Sequence, residues 1–280
     1  MLIGDHRIEI VPDTEFRLDG GAMFGVVPRI VWERVMPPDE VNRVTLNMNC
    51  VFIDTGREKV LIETGIGEKW SEKEIGMYGI FRQRPFADSL FEATGSKPEE
   101  IDIVINTHLH FDHAGGNTVS DSAGRAVPQF KNARYLVSAS ELAHARSPHE
   151  RDRASYLPVN WEPMAESGQL EPMPDHYQPI PGLLIEQARG HSETMQTWRL
   201  DSDGRTVFGF ADLIPTRHHL APAWIMGYDL YPAETLEFKK RVLPEAVREK
   251  WLCVFYHDAE HPVSVLNVEQ GKIIAEPVEM

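Results

Sequence analysis

The chain has 280 residues, 42% of them apolar, and carries a formal charge of −15 at neutral pH. That length suits one large domain or two small ones, with enough apolar material for a sizeable core. The acidic balance excludes the basic face that nucleic acid requires and disfavours docking on an anionic membrane, so a neutral or cationic-headed small substrate fits best.

No apolar run is long enough to span a bilayer, and Met1 to Arg7 lacks the basic-then-apolar pattern of a signal peptide, so a cytoplasmic location is expected. Val44 to Ile53 and Val60 to Glu63 read as two strands of a hairpin around Asp54-Thr55-Gly56. Asp88 to Thr94 reads as a short helix closed by Gly95, and Pro98 with Glu99 and Glu100 as a helix start feeding a strand from Ile101 to Ile105. Tyr135 to Val137 is a further strand, after which Ser138 or Ser140 caps a helix through Ala145. Residues 146–181 are polar, Pro-rich and dotted with aromatics, which predicts a short helical insertion or lid. Leu183 to Glu186, Thr197 to Leu200 and Thr206 to Phe210 are strands. Pro232 to Lys250 is helical, with a break expected near Pro244. Leu252 to Tyr256, Val263 to Val268 and Lys272 to Ala275 complete the strands. Without a composition break or a repeat, a single domain spanning 1–280 is expected, with sheets packed face to face and helices outside. Cys50 and Cys253 lie in strand-like apolar runs and read as buried thiols.

The chemistry concentrates in Thr107-His108-Leu109-His110-Phe111-Asp112-His113-Ala114-Gly115-Gly116. Three imidazoles and a carboxylate this close together are the donor set of Zn²⁺ and similar borderline cations. Buried without a metal, they would leave several polar atoms unpaired. Four ligands hold one ion; further candidates stand just after apolar strands, namely His191, Asp212 and His257. Strand ends at one edge of a sandwich can converge, and the loops there carry chemistry.

The set His108, His110, Asp112, His113, His191, Asp212 and His257 resembles the dinuclear form of the metallo-β-lactamase superfamily. The resemblance implies an αββα sandwich. It makes His108, His110 and His191 ligands of one metal and Asp112, His113 and His257 ligands of the other, with Asp212 bridging. Zinc is the metal expected, and iron, manganese or cobalt would suit the same mixed ligation. Gly20 to Pro28, Asn160-Trp161-Glu162-Pro163, Ala211 to Thr216, Tyr228-Asp229-Leu230-Tyr231-Pro232 and Phe255 to Ala259 are similar to segments of quorum-quenching lactonases within that superfamily. The activity implied is opening of a lactone, of the N-acyl-homoserine type or a related one, by a hydroxide held between the metals. Asp112 and Asp212 are then the catalytic carboxylates, Asp112 passing a proton to the leaving alkoxide. Where the best-known lactonases carry a substrate-facing tyrosine, this chain has Pro215, so another donor is expected; His218 and His219 are the candidates. Phe24, Trp224 and Met226 are expected to line a groove for an acyl chain. A phosphotriester or aryl-ester hydrolase, and a binding module of this fold with little turnover, are the alternatives. Met23 to Trp32 is an apolar segment that would suit a homodimer contact.

Overall fold

The computed structural model describes residues 1–279. Strands β1 (Leu2–Ile3) and β2 (His6–Asp19) open the chain, followed by short helices α1 (Gly20–Phe24) and α2 (Arg29–Trp32). Then come β3 (Arg43–Asp54), β4 (Lys59–Ile62), α3 (Glu72–Tyr78), α4 (Phe86–Thr94) and β5 (Ile103–Ile105). The four-residue helix α5 (Phe111–Ala114), a small hairpin of β6 (Thr118–Ser120) and β7 (Ala126–Pro128), β8 (Arg134–Ser138), α6 (Ala139–Arg146), α7 (Glu162–Ser167) and β9 (Leu170–Met173) follow. One seven-stranded sheet runs β1-β2-β3-β4-β5-β8-β9, antiparallel through β4 and parallel from there.

The second seven-stranded sheet takes its strands in chain order: β10 (His176–Ile180), β11 (Leu183–Gln187), β12 (Gln196–Ser202), β13 (Arg205–Gly209), β14 (Leu252–Val254), β15 (Val263–Glu269) and β16 (Lys272–Pro277). Helix α8 (Pro232–Glu249) links β13 to β14, which makes that pair parallel. Together the sheets and outer helices form the αββα sandwich that the resemblance implied.

Local sequence explains the elements. Strand β3 begins with strict alternation, Val44, Leu46 and Met48 inward, and then becomes buried on both faces from Asn49 to Ile53. Ile103, Val104 and Ile105 are all buried, as expected for a strand with parallel neighbours on both sides. Helix α4 buries Phe86 and Leu90 and ends at Gly95, whose φ of 75° is left-handed. Ser138 caps α6 by accepting from the Glu141 amide. Cys50 and Cys253 are free thiols inside the core.

Three expectations need correction. Residues 146–181 are not one insertion: Leu170–Met173 is the edge strand of the first sheet and His176–Ile180 that of the second, leaving only the stretch before Leu170 as loop and short helix. Helix α8 passes through Pro244 unbroken; its inner face, Phe238, Val242, Leu243 and Ala246, is held by packing. Met23, Phe24 and Trp32 are buried within the chain's own core, leaving Val26, Ile30 and Val31 exposed.

Candidate metal centre

Both sheets deliver side chains to one place. The buried strand β5 runs out at Ile105, and the chain turns through Thr107 to His110 into α5. His191 sits in the β11–β12 connection, Asp212 in the turn after β13, and His257 three residues past β14. Backbone bonds tie these loops to one another, the first of them across the sandwich and the second within the second sheet's loops. The Gln196 amide donates to the Thr107 carbonyl at 2.9 Å, and the His257 amide to the Pro215 carbonyl at 2.9 Å. Ala211, just before Asp212 in the sequence, takes a φ of 46°, an uncommon conformation for a residue with a Cβ.

The seven sequence-predicted ligands meet. His108, His110 and His191 form one group and Asp112, His113, Asp212 and His257 another, with the ligand atoms of each group within 4.8 Å of one another. All seven residues are buried, the most accessible being His110 and Asp112 at 6% exposure. Asp212 lies between the groups. Its Oδ1 is 3.1 Å from both His113 Nε2 and His257 Nε2, while its Oδ2 is 3.4 Å from His191 Nε2 and 4.0 Å from His108 Nε2.

The donor set fits cations. His108 Nε2 and both ring nitrogens of His113 are buried without a hydrogen-bond partner among the described residues. His191 Nε2 and His110 Nδ1 face each other at 3.1 Å. His257 Nδ1 lies 3.0 Å from the Asn47 carbonyl, which can only accept, so Nδ1 carries the proton. In the neutral ring, Nε2 then directs a lone pair at the Asp212 carboxylate, a repulsion that only a proton or a metal between them relieves. Burial first, and then the neighbouring histidines, hold His108 and His110 well below the usual imidazole range, so both rings stay neutral, the form that can bind a metal. Burial, the largest single influence, would also lower His113 and His191, but the carboxylates around them together outweigh it and raise both: Asp212, Asp112 and Glu63 at His113, and Asp212 and Asp229 at His191. Burial would raise Asp212; the His113, His257 and His191 charges instead hold it well below the usual carboxylate range. The centre therefore attracts positive charge.

Residues outside the sequence-predicted set orient it. Asp229 Oδ1 accepts from His191 Nδ1 at 3.1 Å, and Thr235 Oγ1 donates to Asp229 Oδ2 at 2.7 Å. Glu63 Oε1 accepts from the Thr107 amide at 3.0 Å and faces His113 Nδ1 at 3.5 Å. Glu141 Oε1 accepts from the Leu109 amide at 2.7 Å. Such partners fix ring tautomer and direction. A carboxylate directly after an apolar strand, as Glu63 follows β4, was the signal available for one of them.

A cleft of about 230 Å³ opens over the centre. His110, Asp112, His191, Asp212 and His257 form its floor, while Leu18, Met23, Phe111 and Met226 give it apolar walls. Tyr78, Tyr228, Arg151 and Ser155 supply polar groups. A larger hollow of about 420 Å³ lies over Asp13, Asn47 and Ser89 but gathers no ligand cluster, so chemistry rather than volume marks the site.

Of the residues expected to face a substrate, Met226 lines the cleft, while Phe24, Trp224, His218 and His219 do not. Phe24 is fully buried, stacked on His219 with ring centres 4.7 Å apart and on Trp32 at 5.2 Å, with Trp224 edge-on at 5.5 Å. Both His219 nitrogens are engaged: Nε2 donates to the Met23 carbonyl at 2.9 Å, and Nδ1 accepts from Thr216 Oγ1 at 2.8 Å. It has no donor left for a substrate.

Comparison with known proteins agrees with this geometry. The sequence profile of the metallo-beta-lactamase superfamily matches residues 44–177. A solved structure of a probable metal-dependent hydrolase from Staphylococcus aureus is 31% identical and superposes with a TM-score of 0.90, covering 100% of this chain and 99% of that one. The chain belongs to the metallo-β-lactamase superfamily. Among curated members, an N-acyl homoserine lactonase from Bacillus cereus is 24% identical over 240 residues, 78% of this chain and 84% of that protein. The dizinc quorum-quenching lactonase AidC, solved with the product N-hexanoyl-L-homoserine, shares the fold at a TM-score of 0.80 and 17% identity, covering 100% of this chain and 97% of that one. As a superfamily hydrolase the chain carries the His/Asp clusters of a dinuclear metal-binding fold. No helix among the described residues is long and apolar enough to cross a membrane.

Proposed function

We propose that this superfamily member is a metal-dependent lactonase that opens a lactone carrying an acyl side chain. The carrying observation is the position of Asp212, with one carboxylate oxygen toward each ligand group on the floor of an apolar-walled cleft. The lactonase relatives support the choice of substrate class. His108, His110 and His191 would hold one divalent cation and Asp112, His113 and His257 a second, with Asp212 shared and zinc the proposed metal. Such ions supply Lewis acidity and ionise water at neutral pH.

The protein's own groups supply the rest. Leu18, Met23, Phe111 and Met226 exclude water and receive the acyl chain. Asp112 lines the cleft with Oδ2 3.6 Å from His257 Nε2, where it can pass a proton to the departing ring oxygen. Asp229, Glu63 and the Asn47 carbonyl keep the imidazoles aimed. The homodimer expected from the N-terminal segment rests on the exposed Val26, Ile30 and Val31 alone.

A pH-indicator assay on the metal-loaded chain, comparing N-acyl homoserine lactones with aryl phosphotriesters, tests the reading. Lactone turnover is expected to dominate. Triester turnover higher by orders of magnitude would transfer the function to that class, and two bound metals without any ester hydrolysis would favour a binding module. Asp212→Ala should lose metal content and activity together; full metal content with full activity would contradict the shared-ligand role.

A further inference from the structure

Hydrolysis of an acyl bond places negative charge on the acyl oxygen, and a fixed donor aimed at that oxygen accelerates it. Outside the proposed metal ligands, four side chains with donor atoms line the cleft: Tyr78, Arg151, Ser155 and Tyr228. Arg151 already donates to the Gly227 carbonyl at 2.8 Å, fastening one rim of the cleft to the other. Ser155 carries its hydroxyl on a one-carbon stem and reaches least far. Tyr78 ends α3, a seven-residue helix with no buried residue, and its ring packs against Trp70 and Phe111 at 5.4 and 5.2 Å.

Tyr228 differs in how its backbone is held. Gly227, before it, donates its amide to the Ala22 carbonyl at 2.7 Å and accepts from Arg151. Asp229, after it, holds His191 Nδ1, and the Leu230 amide donates to the His191 carbonyl at 3.0 Å. The phenol is therefore carried by a turn bolted to a metal-site histidine on one side and to α1 on the other, the support that keeps a functional group in register. Its hydroxyl has no hydrogen-bond partner among the described residues, and the residue, 39% exposed, lines the cleft. Burial, then the Asp19 and Asp112 carboxylates, push its pKa up to about 12, so at neutral pH it keeps the proton a donor needs.

We propose that Tyr228 is a catalytic residue whose hydroxyl donates a hydrogen bond to the substrate's acyl oxygen as negative charge develops there. The substrate class rests on the lactonase reading; the donor does not, because a phosphoryl oxygen would accept the same bond.

The test compares wild type with Tyr228→Phe as metal-loaded proteins of equal metal content and equal Tm, on N-hexanoyl homoserine lactone. Expected is a kcat loss of about 10–100-fold with KM changed less than about threefold, the pattern of a contact made in the transition state. Affinity for the ring-opened N-hexanoyl homoserine, measured by calorimetry, should weaken several-fold, because its carboxylate presents the same charged oxygen. A kcat loss below tenfold, or an equal loss in Tyr78→Phe, overturns the assignment. If wild type ignores lactones and hydrolyses a nitrophenyl dialkyl phosphate, the lactone reading fails, and the same kcat ratio on the triester judges Tyr228.

Discussion

Asp229 shows what a single carboxylate does without touching a substrate. It accepts the hydrogen bond from Nδ1–H of His191, which in the neutral ring leaves the lone pair on Nε2, while Thr235 holds its other oxygen. Asp229→Ala should weaken metal binding by about 10–100-fold in a chelator-competition titration, the usual effect of losing such a partner. Unchanged affinity would mean that packing alone sets the ring. His219 gives the opposite case, an imidazole removed from chemistry. Burial, then the nearby Lys239 charge, lowers its pKa to about 3, and both nitrogens are bonded in the neutral form. An unfolded histidine takes its proton near pH 6.5, whereas the folded one does not until about pH 3. Between those values the unfolded state binds the extra proton, so this contribution is complete above pH 6.5 and is lost as pH falls, at about 1.4 kcal/mol per pH unit. His219→Gln should flatten the acid limb of a denaturant-based stability profile; an unchanged slope would show that other groups set it. The two histidine classes differ in how far they could be read from sequence. His108, His110 and His113 declare themselves by spacing, whereas His219 is satisfied partly by its own turn, through Thr216, and partly by the Met23 carbonyl, a bond that exists only once α1 packs against that turn.

Among the elements, α5 and the Gly115-Gly116 turn after it depend on backbone approach. A Cβ on Gly116 would lie 2.1 Å from the Thr64 carbonyl oxygen, and one on Gly115 would lie 2.2 Å from that of Ile66. Lys69 closes the same seam, its ammonium donating to the Gly115 and Thr118 carbonyls at 2.5 and 2.8 Å. Gly116→Ala must therefore push the turn that carries the proposed ligands off the end of β4. A destabilisation of about 2–4 kcal/mol is expected, read as a Tm drop of several degrees with reduced metal content. A wild-type Tm would show that the seam yields freely. The Gly-Gly pair was visible in the sequence as a turn, but its tightness depends on a strand more than forty residues earlier. The same distinction explains the strands. Apolar runs such as Val44 to Ile53 announced themselves, while β2 did not. Its fourteen residues mix acids and arginines with apolar residues, and a register shift between Pro12 and Glu15 interrupts its alternation. Leu170–Met173 and His176–Ile180 hid for a related reason: both contain proline, tolerated because each lies at the edge of its sheet.

At the scale of the whole molecule, the proposed ligands are divided between the two sheets. His108, His110, Asp112 and His113 follow β5 of the first sheet, while His191, Asp212 and His257 follow β11, β13 and β14 of the second. Cations held there would staple the layers together at the edge where their loops meet. They would also neutralise a buried cluster that otherwise sets imidazole lone pairs against carboxylates. Because the unfolded chain does not assemble this set, bound metal adds stability by mass action, about 2.7 kcal/mol per site at a hundredfold excess over Kd. For a chain of this size that corresponds to roughly 5–10 °C in Tm. Chelation followed by buffer exchange should therefore lower Tm by at least that much, and re-addition of zinc should restore it. Amide exchange in the chelated protein should rise first in the segments around residues 107–117, 190–194 and 211–216, where the ligands sit, while β3 and β5 in the middle of the first sheet stay protected. His257→Ala should lose part of the metal-dependent rise in Tm, measured against its own chelated form, whose Tm is itself lowered because the variant also deletes the bond from Nδ1 of this buried residue to the Asn47 carbonyl. A Tm indifferent to verified removal of metal would mean that the layers are held by the core alone, with the ligand cluster contributing nothing to their union.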